Sequence, residues 1–172
     1  LEFRVLRERP PDFLRQAIPI LLADSQIDRQ VLALYRVHAS NLAAFLYLLQ
    51  QTKKQHYEAI RDIIRLVTPF FDDFLLRPHP ENENMIRLEW REKGSDYPFQ
   101  AYHLSDGTLR FICLATLLLQ PELPSTILID EPELGLHPYA IVILGSLMRS
   151  AAERTQLIIS TQSVSLVNQF DA

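Results

Sequence analysis

The sequence predicts an α/β fold in which parallel strands are joined by a helix, with a helical hairpin and a β-hairpin inserted ahead of them. Three observations carry this. Thr126 to Ile129 is a short continuous apolar run closed by Asp130-Glu131-Pro132, the pattern of a buried parallel strand. Tyr139 to Arg154 repeats apolar residues at helical spacing, with Ile141, Leu144, Leu147 and Met148 inward. Gln156 to Ser160 reads as another buried strand, so the stretch is strand–helix–strand, and a right-handed crossover is expected.

The preceding elements follow from the same periodicities. Leu1 to Arg9 alternates loosely, Phe3 and Val5 against Arg4 and Arg7, and reads as a strand that Pro10-Pro11 breaks. Phe13 to Val37 is mixed, with a helix expected over Gln30 to Arg36. Ser40 is placed to cap a helix whose apolar stripe is Leu42, Phe45, Leu46 and Leu49. A second helix is expected from about Lys54, with Tyr57, Ile60, Ile64, Val67 and Phe71 inward. The pair reads as a packed structural arm.

Met85 to Arg91 sets Ile86, Leu88 and Trp90 against Arg87, Glu89 and Arg91, a half-buried strand. Lys93-Gly94-Ser95-Asp96 turns the chain, and Phe99 to His103 returns as the second strand of a hairpin. Leu109 to Leu119 is apolar nearly all round, a buried helix that Pro121 and Pro124 end. The expected organisation is a partial N-terminal segment over 1–39, an arm of helical hairpin and β-hairpin over 40–103, and a lobe over 104–172.

Composition sets limits. The chain has 172 residues, 48% of them hydrophobic and 22% charged, enough for one core and too apolar for disorder. The single cysteine excludes a disulfide framework and a cysteine-built zinc site, and suits a reducing, cytoplasmic compartment. No apolar run is long enough to span a membrane, so no membrane partner is expected. A net charge of −4 makes no general electrostatic case for nucleic acid. The four glycines include no pair with the spacing of G-x-x-x-x-G-K-[ST], and G-x-G-x-x-G is absent too. The chain opens at Leu1 rather than Met and stops just past a strand-like run, so it is read as a fragment.

The chemistry gathers at four points. Asp130 and Glu131 close the first lobe strand, at the sheet edge where ligands bind in open α/β folds. Adjacent residues at a strand end face different sides, so one carboxylate can hold Mg²⁺ through water while its neighbour faces a nucleophile. That arrangement suits phosphoryl transfer. An acidic pair alone would read as a solvated turn, but its surroundings argue otherwise. Leu104-Ser105-Asp106-Gly107-Thr108 opens a helix, whose free N–H groups and positive dipole end favour an anion. Gly107 leaves room for a phosphate to approach the backbone, and the Ser105 hydroxyl adds a donor. Downstream come Glu133-Leu134-Gly135-Leu136-His137-Pro138 and Ile158-Ile159-Ser160-Thr161-Gln162-Ser163.

This ordered set resembles the C-terminal lobe of an ABC-type ATPase head, a P-loop NTPase, in the branch of predicted ATPases related to SMC, RecF and OLD proteins (AAA domain 21). The likeness is closest over Ser40 to Ala172, in runs such as Ser40-Asn41-Leu42-Ala43-Ala44-Phe45-Leu46 and Leu104-Ser105-Asp106-Gly107-Thr108-Leu109-Arg110. It implies a signature motif at Leu104 to Thr108, where Ser105, Asp106, Gly107 and Thr108 meet the γ-phosphate of ATP held by the other protomer. It implies Walker B at Ile127 to Glu131, with Asp130 supporting Mg²⁺ and Glu131 orienting or activating the attacking water. Gly135, Leu136 and His137 would belong to the D-loop at the dimer seam, and Gln162 to the switch position. Asp106 stands where transporter signatures carry a second Gly, Thr108 replaces their Gln, and Gln162 replaces a frequent His. These departures fit a RecF/OLD-like branch better than a transporter.

The resemblance therefore implies ATP and Mg²⁺ as cofactors and a homodimer closed around ATP, with an output in DNA repair, DNA maintenance or phage defence. DNA is a candidate partner on that analogy. The Walker A loop lies N-terminal in this family, so the isolated chain is expected to be inactive while the full-length protein is an ATPase. A non-enzymatic dimerisation or regulatory lobe is the alternative, and a transporter ATP subunit is the third reading.

Other residues carry less. His38, His56, His79, His103 and His137 lack metal-ligand spacing and suit surface or capping roles. Arg110 is open to phosphate or partner contact and equally to a structural salt bridge. Cys113 reads as core and Trp90 as hairpin packing. Ser160, Ser163 and Ser165 have no base arrangement for a serine hydrolase.

Overall fold

A computed structural model describes residues 20–22, 42–80 and 82–170 of the chain. The expected strand over Leu1 to Arg9, the helix over Gln30 to Arg36 and the Ser40 cap lie outside these residues. Strand β1 (Ile20–Leu22), inside a stretch the sequence left mixed, runs antiparallel to β7 (Thr126–Asp130), with Leu21 opposite Leu128. On its other side β7 pairs in parallel with β8 (Gln156–Ser160), from Thr126 opposite Gln156 to Asp130 opposite Ser160. The predicted parallel pair is present, with an antiparallel strand beside it.

In the arm, α1 (Leu42–Thr52) and α2 (Lys54–Val67) form the expected hairpin, and Tyr57, Ile60, Ile64 and Val67 are buried. Phe71 does not continue α2, as its spacing suggested. The helix stops at Val67 because Pro69 disfavours helical geometry at Thr68, whose φ is −124° and ψ 83°. Phe71 instead opens β2 (Phe71–Leu75), fully buried all the same.

The strand expected over Met85 to Arg91 is split. Strand β4 (Asn82–Ile86) pairs with β3 (Pro78–His79), while β5 (Glu89–Glu92) pairs with β2 on one side and β6 (Phe99–Gln100) on the other. The returning strand is also shorter than expected, since Ala101–His103 forms a 3₁₀ turn leading to Leu104. Glu89 breaks the predicted alternation, being buried beside Trp90. It can be inside because its carboxylate accepts from Arg77 at 3.1 Å and from the Gln100 amide at 2.7 Å.

Helix α3 (Asp106–Leu119) is buried nearly all round, as its composition predicted. Phe111, Leu114, Ala115, Leu117 and Leu118 join the lobe core with Ile127, Ile129, Leu144 and Met148. Ile112 instead joins the arm core with Leu46, Ile60, Phe71 and Trp90. A single helix is thus the wall between two cores. Helix α4 (Pro138–Ala152) buries the predicted Ile141, Leu144, Leu147 and Met148, and the short α5 (Val164–Val167) packs beside it.

Strand β8 is not the buried strand expected. Leu157 and Ile159 pack against the core, but Ile158 is 48% exposed and Gln156 and Ser160 face solvent. Strand residues alternate between faces. The lobe core takes Ile127, Ile129, Leu157 and Ile159 from one face, leaving half-buried Leu128 and its neighbour Ile158 on the other.

Candidate functional site

The two parallel strands end level with one another, and the polar groups gather there. Asp130 is exposed at the end of β7, opposite Ser160. Glu131 follows, and its N–H donates to the Ser160 carbonyl at 2.8 Å, extending the pairing by one bond. Its φ is +44°, making it the only non-glycine among the described residues at positive φ. The left-handed region costs such a residue about 1–2 kcal/mol, so the surroundings must hold it. The Glu131 carbonyl accepts from the Leu134 N–H at 3.2 Å and from Arg110 Nη1 at 3.2 Å.

The side chains meet as well. Gln162 Nε2 donates to Glu131 Oε1 at 3.1 Å, joining two predicted site residues 31 positions apart. Nearby, Thr161 Oγ1 donates to Glu133 Oε1 at 2.5 Å and accepts from the Ser163 N–H at 3.0 Å. Thr161 therefore ties the turn after β7 to the segment after β8. Thr161 and Glu133 fall inside the motifs read from the sequence, which gave them no role of their own. Their only local signal was adjacency, one beside Gln162 and the other two residues past Glu131.

Ser105 caps α3. Its Oγ accepts from the Thr108 N–H at 3.1 Å and lies 2.9 Å from Thr108 Oγ1. Ser105 and Asp106 are exposed, while Gly107 is buried. The space left by the missing Gly107 side chain is filled by protein: a Cβ there would lie 2.1 Å from the Gly135 carbonyl oxygen. The loop after β7 packs against this face of Gly107. Gly135 itself has φ +77°, a conformation glycine adopts at no steric cost. Gly107 and Gly135 are thus in direct backbone contact, which sequence spacing did not suggest.

Leu136 packs against the lobe core. His137 caps α4, its Nδ1 accepting from the Ala140 N–H at 3.2 Å. Its Nε2 lies 3.4 Å from the Val67 carbonyl, and one tautomer, protonated at Nε2, satisfies both contacts. The capping role foreseen for the histidines applies here, and it pins the loop to the end of α2.

Arg110 is buried at 8% exposure and turns inward to Glu131. Burial lowers its pKa, while the Glu131 charge and, more weakly, Cys113, Glu133 and Asp106 oppose that shift. Burial also pushes the Cys113 thiol up to about 11, so it is not poised as a nucleophile.

Among the described residues no group of three or more His, Cys, Asp or Glu could by itself hold a metal ion. The oxygen donors at the strand ends still fit Mg²⁺, which is usually held by one or two carboxylates together with substrate phosphates. No helix among the described residues is long and apolar enough to cross a membrane.

Solved structures with the same fold include SMC heads. One, an SMC head bound to the C-terminal winged-helix domain of ScpA, is 15% identical with a TM-score of 0.56, over 72% of this chain and 39% of that one. Another, from work on ATP-driven dimerisation and DNA-stimulated activation of SMC ATPases, is 15% identical with a TM-score of 0.53, over 73% and 78%. A Pyrococcus furiosus Smc head with an extended coiled coil, bound to the C-terminal domain of ScpA, is 16% identical with a TM-score of 0.55, over 72% and 32%. The chain thus spans less than half the length of the first and third of these. No curated protein sequence matches it. The family model for the AAA domain described as putative AbiEii toxin, type IV TA system, matches residues 8–168, and the chain belongs to that family of AAA-type ATPase domains.

Proposed function

We propose that this chain is the part of an ATP-hydrolysing head that acts on the γ-phosphate, within a protein that dimerises around ATP. The observation that carries the reading is the 3.1 Å contact between Gln162 and Glu131, set beside Asp130 where two parallel strands end. In this reading Glu131 orients the attacking water and accepts its proton. The Gln162 amide holds the Glu131 carboxylate and can also hydrogen-bond to phosphate or water. Asp130 would hold Mg²⁺ through water, and the ion would neutralise charge developing on the phosphates. Ser105, Asp106, Gly107 and Thr108, at the N-terminus of α3, face ATP bound by the second protomer. There the positive end of the helix dipole favours anions. Gly135, Leu136 and His137 lie at the dimer seam.

The reading needs a phosphate cradle with a Lys, which these 172 residues do not carry as a G-x-x-x-x-G-K-[ST] motif. The cradle comes from another segment of the full-length protein, and the isolated chain turns over little ATP. The SMC ATPase work named above concerns DNA-stimulated activation, so DNA is the effector to add to the assay. Outputs in DNA repair or phage defence rest on that family likeness alone.

The test is Glu131→Gln in the full-length protein. Removing a general base slows turnover by about 10²–10⁴-fold. We expect that loss together with an ATP-dependent dimer that persists in size-exclusion chromatography. Wild-type turnover in the variant would sink the reading. A dimer formed without any response to ATP would favour a non-enzymatic dimerisation lobe.

A further inference from the structure

We propose that Arg110 is a positioning residue that holds the Glu131 peptide in its left-handed turn. The proposal rests on the ATPase reading above. Arg110 lies on α3, and its Nη1 crosses 21 positions of sequence to donate to the Glu131 carbonyl at 3.2 Å. Arg110 is 8% exposed, so this contact is made by a residue largely shielded from water. The peptide it grips belongs to the only non-glycine among the described residues at positive φ. Two backbone hydrogen bonds also hold Glu131, its N–H donating to the Ser160 carbonyl and its carbonyl accepting from the Leu134 N–H. Both come from the same sheet edge and turn, whereas Arg110 reaches in from a different element.

Position on α3 gives the contact a consequence. Gly107, one turn before Arg110, rests on the Gly135 carbonyl. The helix therefore touches the turn after β7 at two points, Gly107 against Gly135 and Arg110 against Glu131. A displacement of the α3 N-terminus is transmitted to the residue that bears the carboxylate. A planar guanidinium suits this task because its donors are fixed in a fork, whereas a Lys ammonium is a point donor on a flexible stem.

The experiment compares Arg110→Met and Arg110→Lys with wild type in the full-length protein, using ATP with Mg²⁺. It measures steady-state kinetics, amide hydrogen exchange and thermal unfolding. Arg110→Met is expected to lower kcat by roughly 10²-fold, the effect of a catalytic group displaced by a fraction of a side chain, with KM for ATP almost unchanged. Exchange across 129–136 should quicken, while 42–76 in the arm keeps wild-type protection. Arg110→Lys should recover part of kcat and part of the protection.

Wild-type kcat and exchange in a folded Arg110→Met protein overturn the proposal. So does a raised KM with kcat retained, which would place Arg110 on the substrate. If Arg110→Met does not fold, Arg110→Lys decides: quickened exchange at 129–136 with lowered kcat supports the role, and wild-type values for both overturn it. The exchange measurement needs no turnover. A protein whose turnover survives Glu131→Gln therefore fails the ATPase reading, and exchange still judges Arg110.

Discussion

The arm closes on aromatic side chains and ties its rim with ion pairs, whereas the lobe collects its polar groups where two strands stop. In the arm Trp90 stacks between Phe99 at 4.9 Å and Phe71 at 6.0 Å, and Phe71 meets Phe74 edge-on at 4.8 Å. Asp72 bridges Arg65 and Arg91, each at 2.7 Å, and the Tyr57 hydroxyl donates to Asp73 at 2.7 Å. Burial, followed by the nearby Asp73, raises the Tyr57 pKa, so the phenol stays protonated. In the lobe the core is aliphatic apart from Phe111, and the strained backbone and the Glu131–Gln162 pair sit at one sheet edge. The arm is organised for packing. The lobe places a non-glycine residue, Glu131, in an unfavourable conformation at the end of a strand.

Three substitutions sharpen this contrast. Trp90→Ala should have the largest effect on stability, since it empties the centre of the aromatic stack. A loss of about 3–5 kcal/mol is expected in denaturant titration, as for other buried aromatic truncations. A loss below about 1 kcal/mol would mean that the arm is not the tightly packed unit described here.

Gly107→Ala comes second and strikes the lobe. Alanine favours a helix interior, but its Cβ would lie 2.1 Å from a backbone oxygen, which no rotamer change can relieve. We expect about 1–3 kcal/mol of destabilisation from overpacking, together with reduced turnover in the full-length protein as the Gly135 loop shifts. A variant more stable than wild type would show that the Gly107–Gly135 contact is loose.

Asp72→Asn should be the mildest change. Its partners Arg65 and Arg91 are 30% and 39% exposed, so solvent screens both pairs. Such pairs contribute about 0–1 kcal/mol, and thermal unfolding should move by only a few degrees. A larger loss would make the rim, rather than the aromatic stack, the main support of the arm.

How far each region was legible in the sequence follows the same division. The strand–helix–strand of the lobe could be read because its signals are local: apolar runs, helical spacing and two acids at a strand end. The arm helices were legible for the same reason. The β-strands of the arm were not. Phe71 fits a helical stripe as well as a strand, and only Pro69 marked the break. Glu89 looked like a solvent position until Arg77 and Gln100 were brought to it from 12 and 11 positions away. The exposure of Ile158 was hidden too, because an apolar run does not say how many faces of a sheet are covered.

The sequence by itself determined which polar residues end its strands and open its helices. Asp130, Glu131 and Gln162 follow apolar strands, and Ser105 precedes a helix, and such placements depend on near neighbours alone. Tertiary structure decided how those residues are held. The Gly107–Gly135 contact, the Arg110 bond to Glu131 across 21 positions, the Thr161–Glu133 bond across 28 and the approach of His137 to Val67 across 70 have no local signature. The reason is physical: periodicity reports which face of an element is apolar, whereas a buried polar contact exists only once two distant elements have packed and excluded water between them.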